Sequence, residues 1–171
     1  SAMINVVSAA LVLSYAVAPI TTAALRRNAP DLPRPFRVRG FAVLGPLSFA
    51  IAALIVYWSG WNTVSWLLGV QIVLYAVYVP YRAWRSEDPG AVARDVRASL
   101  WLIVFYWLMI AASWLGTFGG TAFIGSPWDS ILAAVIALAV YRWGARAGLP
   151  ISEHGLSAED EDTHELRIRH E

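Results

Sequence analysis

The sequence contains no cysteine and no lysine, and all thirteen of its basic residues are arginine. Without cysteine there is no disulfide framework and no thiolate metal site. Charge of either sign is scarce: it makes up 15% of the 171 residues, where a soluble domain carries about 25%. Hydrophobic residues reach 58%, against about 45–50% in soluble proteins, and the mean hydropathy is +0.54. A larger core cannot absorb this excess, because a chain of roughly 150 residues buries only about 70% of its surface. A single soluble globular domain is excluded.

Other absences bear on chemistry. The three histidines (His154, His164, His170) all fall in the last eighteen residues, ten and six positions apart, with no cysteine to complete a metal site. There is no phosphate-cradling glycine loop, no His-Glu-x-x-His and no nucleophile–base pair, so neither an enzyme nor a cofactor is implied. No Asp, Glu, Lys or His sits at expected membrane depth, which argues against a proton relay or coupling carboxylate among these residues.

The near-zero net charge of +1 conceals a division. Up to Ile151 eleven Arg face five acids, whereas from Ser152 onward two Arg face seven acids. The chain reads as a membrane region, 1–151, followed by an acidic tail, 152–171, whose Glu159-Asp160-Glu161-Asp162 run has the composition of a disordered cytoplasmic segment. Nothing in this balance implies a nucleic-acid partner.

A spanning helix needs about 20 mostly apolar residues, because 1.5 Å per residue must cover roughly 30 Å of hydrocarbon. Five stretches qualify, at about 3–25, 41–61, 64–84, 98–117 and 127–147, which predicts an all-α integral membrane protein in contact with the lipid bilayer. The fifth has a short uninterrupted apolar core, Ile131–Tyr141. It gains length from an expected start at Ser126, Pro127 and Asp129, with Gly148 and Pro150 as a stop. A similar start, with Asp88 as cap and Pro89 at the first helical position, is expected before the fourth span.

The eleven Arg of the membrane region lie between spans one and two, around spans three and four, and at the end of span five. The connections at Asn62–Thr63 and Phe118–Ser126 hold none. The positive-inside rule therefore predicts an N-terminus outside and a cytoplasmic C-terminus, in a multi-pass protein of the inner membrane. Trp58, Trp61, Trp66, Trp114 and Trp128 then mark the outer interface, and Trp84 and Trp143 the inner one. Nothing positive precedes the first span, so the charged n-region expected of a signal peptide is missing. A chain that opens this way reads as the continuation of a longer one. If Met3 is instead the natural start, Ser1 and Ala2 are left over from cloning.

Polar residues within the spans are few. Ala10, Ser14, Ala18 and Thr22 recur every four residues along span one, a spacing that suits close helix packing. The same region, with Tyr15, Thr21 and a kink expected at Pro19, would also suit the wall of a solute pathway. Gln71 is expected to hydrogen-bond across helices.

The most distinctive stretch is the first Arg-bearing loop, Leu25-Arg26-Arg27-Asn28-Ala29-Pro30-Asp31-Leu32-Pro33-Arg34-Pro35-Phe36-Arg37-Val38-Arg39-Gly40. Its three prolines preclude a helix and predict a stiff extended connector. Together with Leu13-Ser14-Tyr15-Ala16 and Ala18-Pro19-Ile20, it resembles the amino acid–polyamine–organocation (APC) superfamily of permeases. There a similar segment, here carried by Arg26, Arg27, Pro30, Asp31, Pro33, Arg34, Pro35, Phe36 and Arg37, joins the tenth and eleventh membrane helices.

The resemblance implies the C-terminal helices of a LeuT-like transporter fold. Spans one to three would be helices ten to twelve, and spans four and five the extra pair of fourteen-helix members similar to aspartate–proton symporters. It further implies a secondary active amino-acid permease, proton- or sodium-coupled and working by alternating access. Its amino-acid substrate would be bound only in the complete protein, by helices that precede this segment and would be its main partners. The unwound helices that hold substrate in such folds have no counterpart here. Ser14, Tyr15, Thr21 and Thr22 are thus expected only as pathway neighbours. The competing expectation is a free-standing small membrane protein or accessory subunit that packs through span one.

Overall fold

A computed structural model of the chain describes residues 2–28, 38–85 and 89–147. The proline-rich loop at 29–37, the Asp88 cap and the acidic tail expected at 152–171 lie outside the described residues. Five helices are present among the described residues: α1 (Ala2–Asn28), α2 (Phe41–Trp58), α3 (Trp61–Arg85), α4 (Pro89–Leu115) and α5 (Trp128–Ala147). Each carries a stretch long and apolar enough to cross a membrane. The described residues form an all-helical membrane architecture, as the hydropathy predicts.

Helix ends follow local chemistry more closely than hydropathy does. The second span does not reach Trp61: α2 stops at Trp58, and α3 is already helical at Trp61. The turn between them is made by Ser59 and Gly60, and Gly60 takes φ +88°, a left-handed conformation that glycine adopts without steric cost. α4 begins at Pro89, nine residues ahead of the apolar run, since proline is pre-organised for the first helical position. α1 passes through Pro19 as a single helix.

Consecutive helices alternate in direction. At one end, Arg26 in the last turn of α1 lies 4.3 Å over the ring of Phe41 at the start of α2. Arg82 near the end of α3 pairs with Asp95 near the start of α4 at 3.0 Å. At the opposite end, the Trp61 amide donates to the Phe118 carbonyl at 2.8 Å, and Trp58 Nε1 donates to Ser130 Oγ at 3.1 Å. α1, α3 and α5 therefore run one way, and α2 and α4 the other. Every described Arg falls toward the first end.

α5 is central, packing on α4, α2 and α1, while α3 leans chiefly on α4. The core combines aromatic rings with small residues. Phe49 of α2 lies between Phe105 of α4 and Tyr141 of α5, with ring centroids 5.1 and 6.0 Å away. Fully buried Ala133 and Ala137 let α5 sit close to its neighbours. At Gly144 the approach is also close: a Cβ there would lie 2.9 Å from both Ile20 and Trp101.

Large apolar side chains also cover much of the outside. Val43, Leu47, Ile51 and Ile55 of α2 and Trp66, Val73 and Val77 of α3 are exposed. In water this would be a severe aggregation liability, and against lipid it is the ordinary condition of a spanning helix.

Candidate functional site

α1 divides into two faces. Ala9, Leu13, Ala16 and Ile20 are buried against the other helices. The opposite face carries Ser14, Tyr15, Ala18 and Thr21, all exposed, with Thr22 half-buried at its edge. Four-residue spacing alone therefore does not mark the packing face within this chain: α1 packs through Ala9, Leu13, Ala16 and Ile20 and turns Ser14 and Ala18 of the small stripe outward. Tyr15 is 76% exposed, the most open of the described large hydrophobic side chains on α1.

The hydroxyls on that outward face are tied to their own helix. Ser14 Oγ donates to the Ala10 carbonyl at 2.9 Å, and Thr21 Oγ1 to the Val17 carbonyl at 3.1 Å. Each oxygen still has lone pairs with which to accept. Pro19 has no amide hydrogen to give the Tyr15 carbonyl, so a backbone acceptor lies beside the Tyr15 side chain. The face thus offers hydroxyl oxygens, a phenol and a carbonyl on an otherwise apolar helix. It carries no charge and could line a route for a solute without binding it tightly.

Of the loop residues, Arg26 and Arg27 end α1, and Arg26 is held over Phe41. Pro30, Asp31, Pro33, Arg34, Pro35, Phe36 and Arg37 lie outside the described residues, as do the three histidines. Gln71 makes no cross-helix hydrogen bond among the described residues. Tyr75, one turn further along α3, makes it instead, with its hydroxyl 2.7 Å from Ser99 Oγ of α4.

Asp129 is the residue whose role the sequence did not disclose. It was expected only as an acid in the first turn of the fifth span, but its side chain is 1% exposed. α5 starts at Trp128, with Ser126 and Pro127 ahead of it, and Asp129 Oδ1 accepts the Ser130 amide at 2.6 Å. Oδ2 points across the bundle, where it accepts the Tyr57 hydroxyl of α2 at 3.0 Å and the Thr117 amide at 3.1 Å. The Thr117 hydroxyl donates to the same oxygen.

Donors from α2 and the α4–α5 connection thus claim Oδ2, while Oδ1 stays with the Ser130 amide of α5. They also end α4 at Leu115, since the Thr117 amide bonds Asp129 rather than a helical carbonyl. With four donors already on it, Asp129 is a saturated acceptor that joins α2, the α4–α5 connection and α5. Gly116 makes room for this contact, because a Cβ there would collide with the Tyr57 hydroxyl. No distinctive spacing links Tyr57, Thr117 and Asp129 along the chain. The one available signal was a carboxylate set among apolar residues.

Comparison with known proteins places this helical geometry beside membrane transporters. The chain is 48% identical over 151 residues to a protein named aspartate-proton symporter from Bacillus subtilis (strain 168), a match that takes in 88% of this chain and 29% of that protein. It is 34% identical over 146 residues to the glutamate/serine transporter AimA of the same organism, covering 84% of this chain and 27% of that one. Both relatives are transporters. The chain is a multi-pass membrane segment homologous to amino-acid transporters, and it is not an enzyme. It spans under a third of the length of the relatives it matches. No family model matches the chain, and no solved structure does.

Proposed function

We propose that this chain is the C-terminal part of a proton- or sodium-coupled amino-acid permease of the APC superfamily, set in the inner membrane. Its N-terminus faces outward and its C-terminus the cytoplasm. α1 to α3 correspond to helices ten to twelve of a LeuT-like fold, and α4 and α5 are the additional pair of a fourteen-helix member. The carrying observation is the 48% identity to a symporter of which the chain spans only 29%. The gathering of Arg at one end of the bundle supports the orientation. The relatives' names make acidic amino acids, with a proton as coupling ion, the first cargo to test.

In this reading the substrate site belongs to helices that precede Ser1, and the five helices here are scaffold and pathway wall. The outward face of α1, with Ser14, Tyr15, Thr21 and Thr22, borders the pathway. The buried Asp129 clasp fixes α4 and α5 to α2, so that the added pair moves with the scaffold during alternating access.

The test is uptake of radiolabelled aspartate and glutamate by the complete protein in liposomes, with and without an inward proton or sodium gradient. Gradient-dependent accumulation is expected. Absence of uptake for all amino acids under every gradient would refute the assignment.

A further inference from the structure

The Arg-bearing end of α3 carries a second feature, unrelated to the pathway face of α1. Tyr78 and Arg82, and Tyr81 and Arg85, form two i,i+4 pairs on successive turns, and together they line an open recess of about 390 Å³. Arg82 donates to the Tyr78 hydroxyl oxygen at 3.4 Å, and Arg85 donates to the Tyr81 hydroxyl oxygen at 3.2 Å. A phenol that accepts from a guanidinium keeps its own O–H free to donate elsewhere. The recess therefore presents guanidinium and phenol donors toward a common space, an arrangement suited to the oxygens of an anion.

Arg82 also pairs with Asp95 of α4 at 3.0 Å, which turns it partly away. Arg85 is the better placed of the two to meet a ligand. Trp84, 84% exposed, stands beside it and suits the level where headgroups meet hydrocarbon.

What adjoins the recess is apolar. Val70, Leu74 and Val77, all exposed, share the α3 face that leads to Tyr81 and Arg85. Higher on the same helix an open groove of about 400 Å³ is lined by Val70, Val73 and Leu74 with Gly69 among them. The eleven steps from Val70 to Tyr81 rise about 16 Å at 1.5 Å each, the depth of one leaflet of a hydrocarbon core about 30 Å thick. A free phosphate would use the donors and leave this strip empty. A neighbouring helix would cover the strip and leave the donors without an anion.

We infer that Tyr78, Tyr81, Arg82 and Arg85 form a binding site for the headgroup phosphate of an anionic phospholipid, whose acyl chain lies along the Val70–Val77 face of α3. The lipid would sit in the leaflet on the Arg-bearing side and hold the end of α3 at that interface.

Native mass spectrometry of the full-length protein, titrated with phosphatidylglycerol, phosphatidylcholine or inorganic phosphate, tests the site. Phosphatidylglycerol should be retained several-fold better than phosphatidylcholine, and millimolar phosphate should not displace it. Arg85→Gln should weaken retention by about five-fold, the effect of one basic residue at an anionic surface, and Tyr81→Phe by about two-fold. Arg146→Gln, on α5 and outside the recess, should leave retention unchanged. Equal losses for Arg85→Gln and Arg146→Gln would reveal diffuse charge attraction and overturn the site. So would indifference to headgroup charge, displacement by free phosphate, or unaltered retention in a folded Arg85→Gln protein.

Discussion

Buried polar atoms in this protein fall into two kinds, and they should respond oppositely to removal. Asp129 accepts from Tyr57, Thr117 and Ser130, so truncating it strands several donors at once. Hydrogen bonds to a charged group are worth about 1.5–3 kcal/mol each, and a stranded buried donor costs about 1–3 kcal/mol. Asp129→Ala should therefore destabilise the bundle by about 3 kcal/mol or more, and Tyr57→Phe by about 1.5 kcal/mol. Ser113 Oγ is buried with no hydrogen-bond partner among the described residues, so Ser113→Ala should leave stability unchanged or raise it slightly. Thermal unfolding in detergent, followed by circular dichroism, would order the three variants. An Asp129→Ala protein as stable as wild type would show that the clasp contributes nothing. Gly116→Ala should displace the Tyr57 hydroxyl, so its cost and that of Tyr57→Phe should combine to less than their sum. Full additivity would mean that Tyr57 keeps its bond to Asp129 despite the added methyl group.

Among the elements, the Arg82–Asp95 pair looks like the tie between α3 and α4, but its side chains are 49% and 43% exposed. An exposed pair is worth less than about 1 kcal/mol, so Asp95→Asn should shift stability only slightly and should do so less at high salt. Equilibrium unfolding at low and high ionic strength distinguishes this from a larger structural role. The alternating helix directions make a second prediction. Reporter fusions at Asn62 and Phe118 should be active outside the membrane, and those at Pro33 and Gly90 inside. A reversed or mixed pattern would defeat the orientation.

The existence of these elements was legible because burial in lipid demands long apolar runs, and the sequence has five. Their ends were less so. The α2–α3 boundary depends on the φ of one residue, Gly60, and α4 starts at Pro89 ahead of its apolar run. The faces of α1 were legible only in part: spacing identified the small stripe, whereas the choice of packing face depended on what Leu13 and Ile20 meet. Asp129 was not legible, since its partner Tyr57 lies 72 residues away and only the fold brings them together.

At the scale of the whole molecule, charge distribution and packing support the scaffold role proposed above. The aromatic and alanine core makes a self-consistent bundle, yet α1 turns its hydroxyls, Tyr15 and small residues away from that bundle. The outward face of α1 borders a space that this chain does not enclose, and the relatives are more than three times the length of the segment they share with it. Such a piece should hold its fold in a bilayer while lacking a substrate site of its own.

Reconstitution of this 171-residue chain into liposomes, beside the complete protein at equal density, puts that claim to its most direct test. Radiolabelled aspartate and glutamate should accumulate in vesicles holding the complete protein under an imposed gradient. Vesicles holding the 171-residue chain alone should show no uptake above protein-free vesicles. Robust, gradient-dependent uptake by the short chain would contradict the account, because it would place a complete substrate site within these five helices.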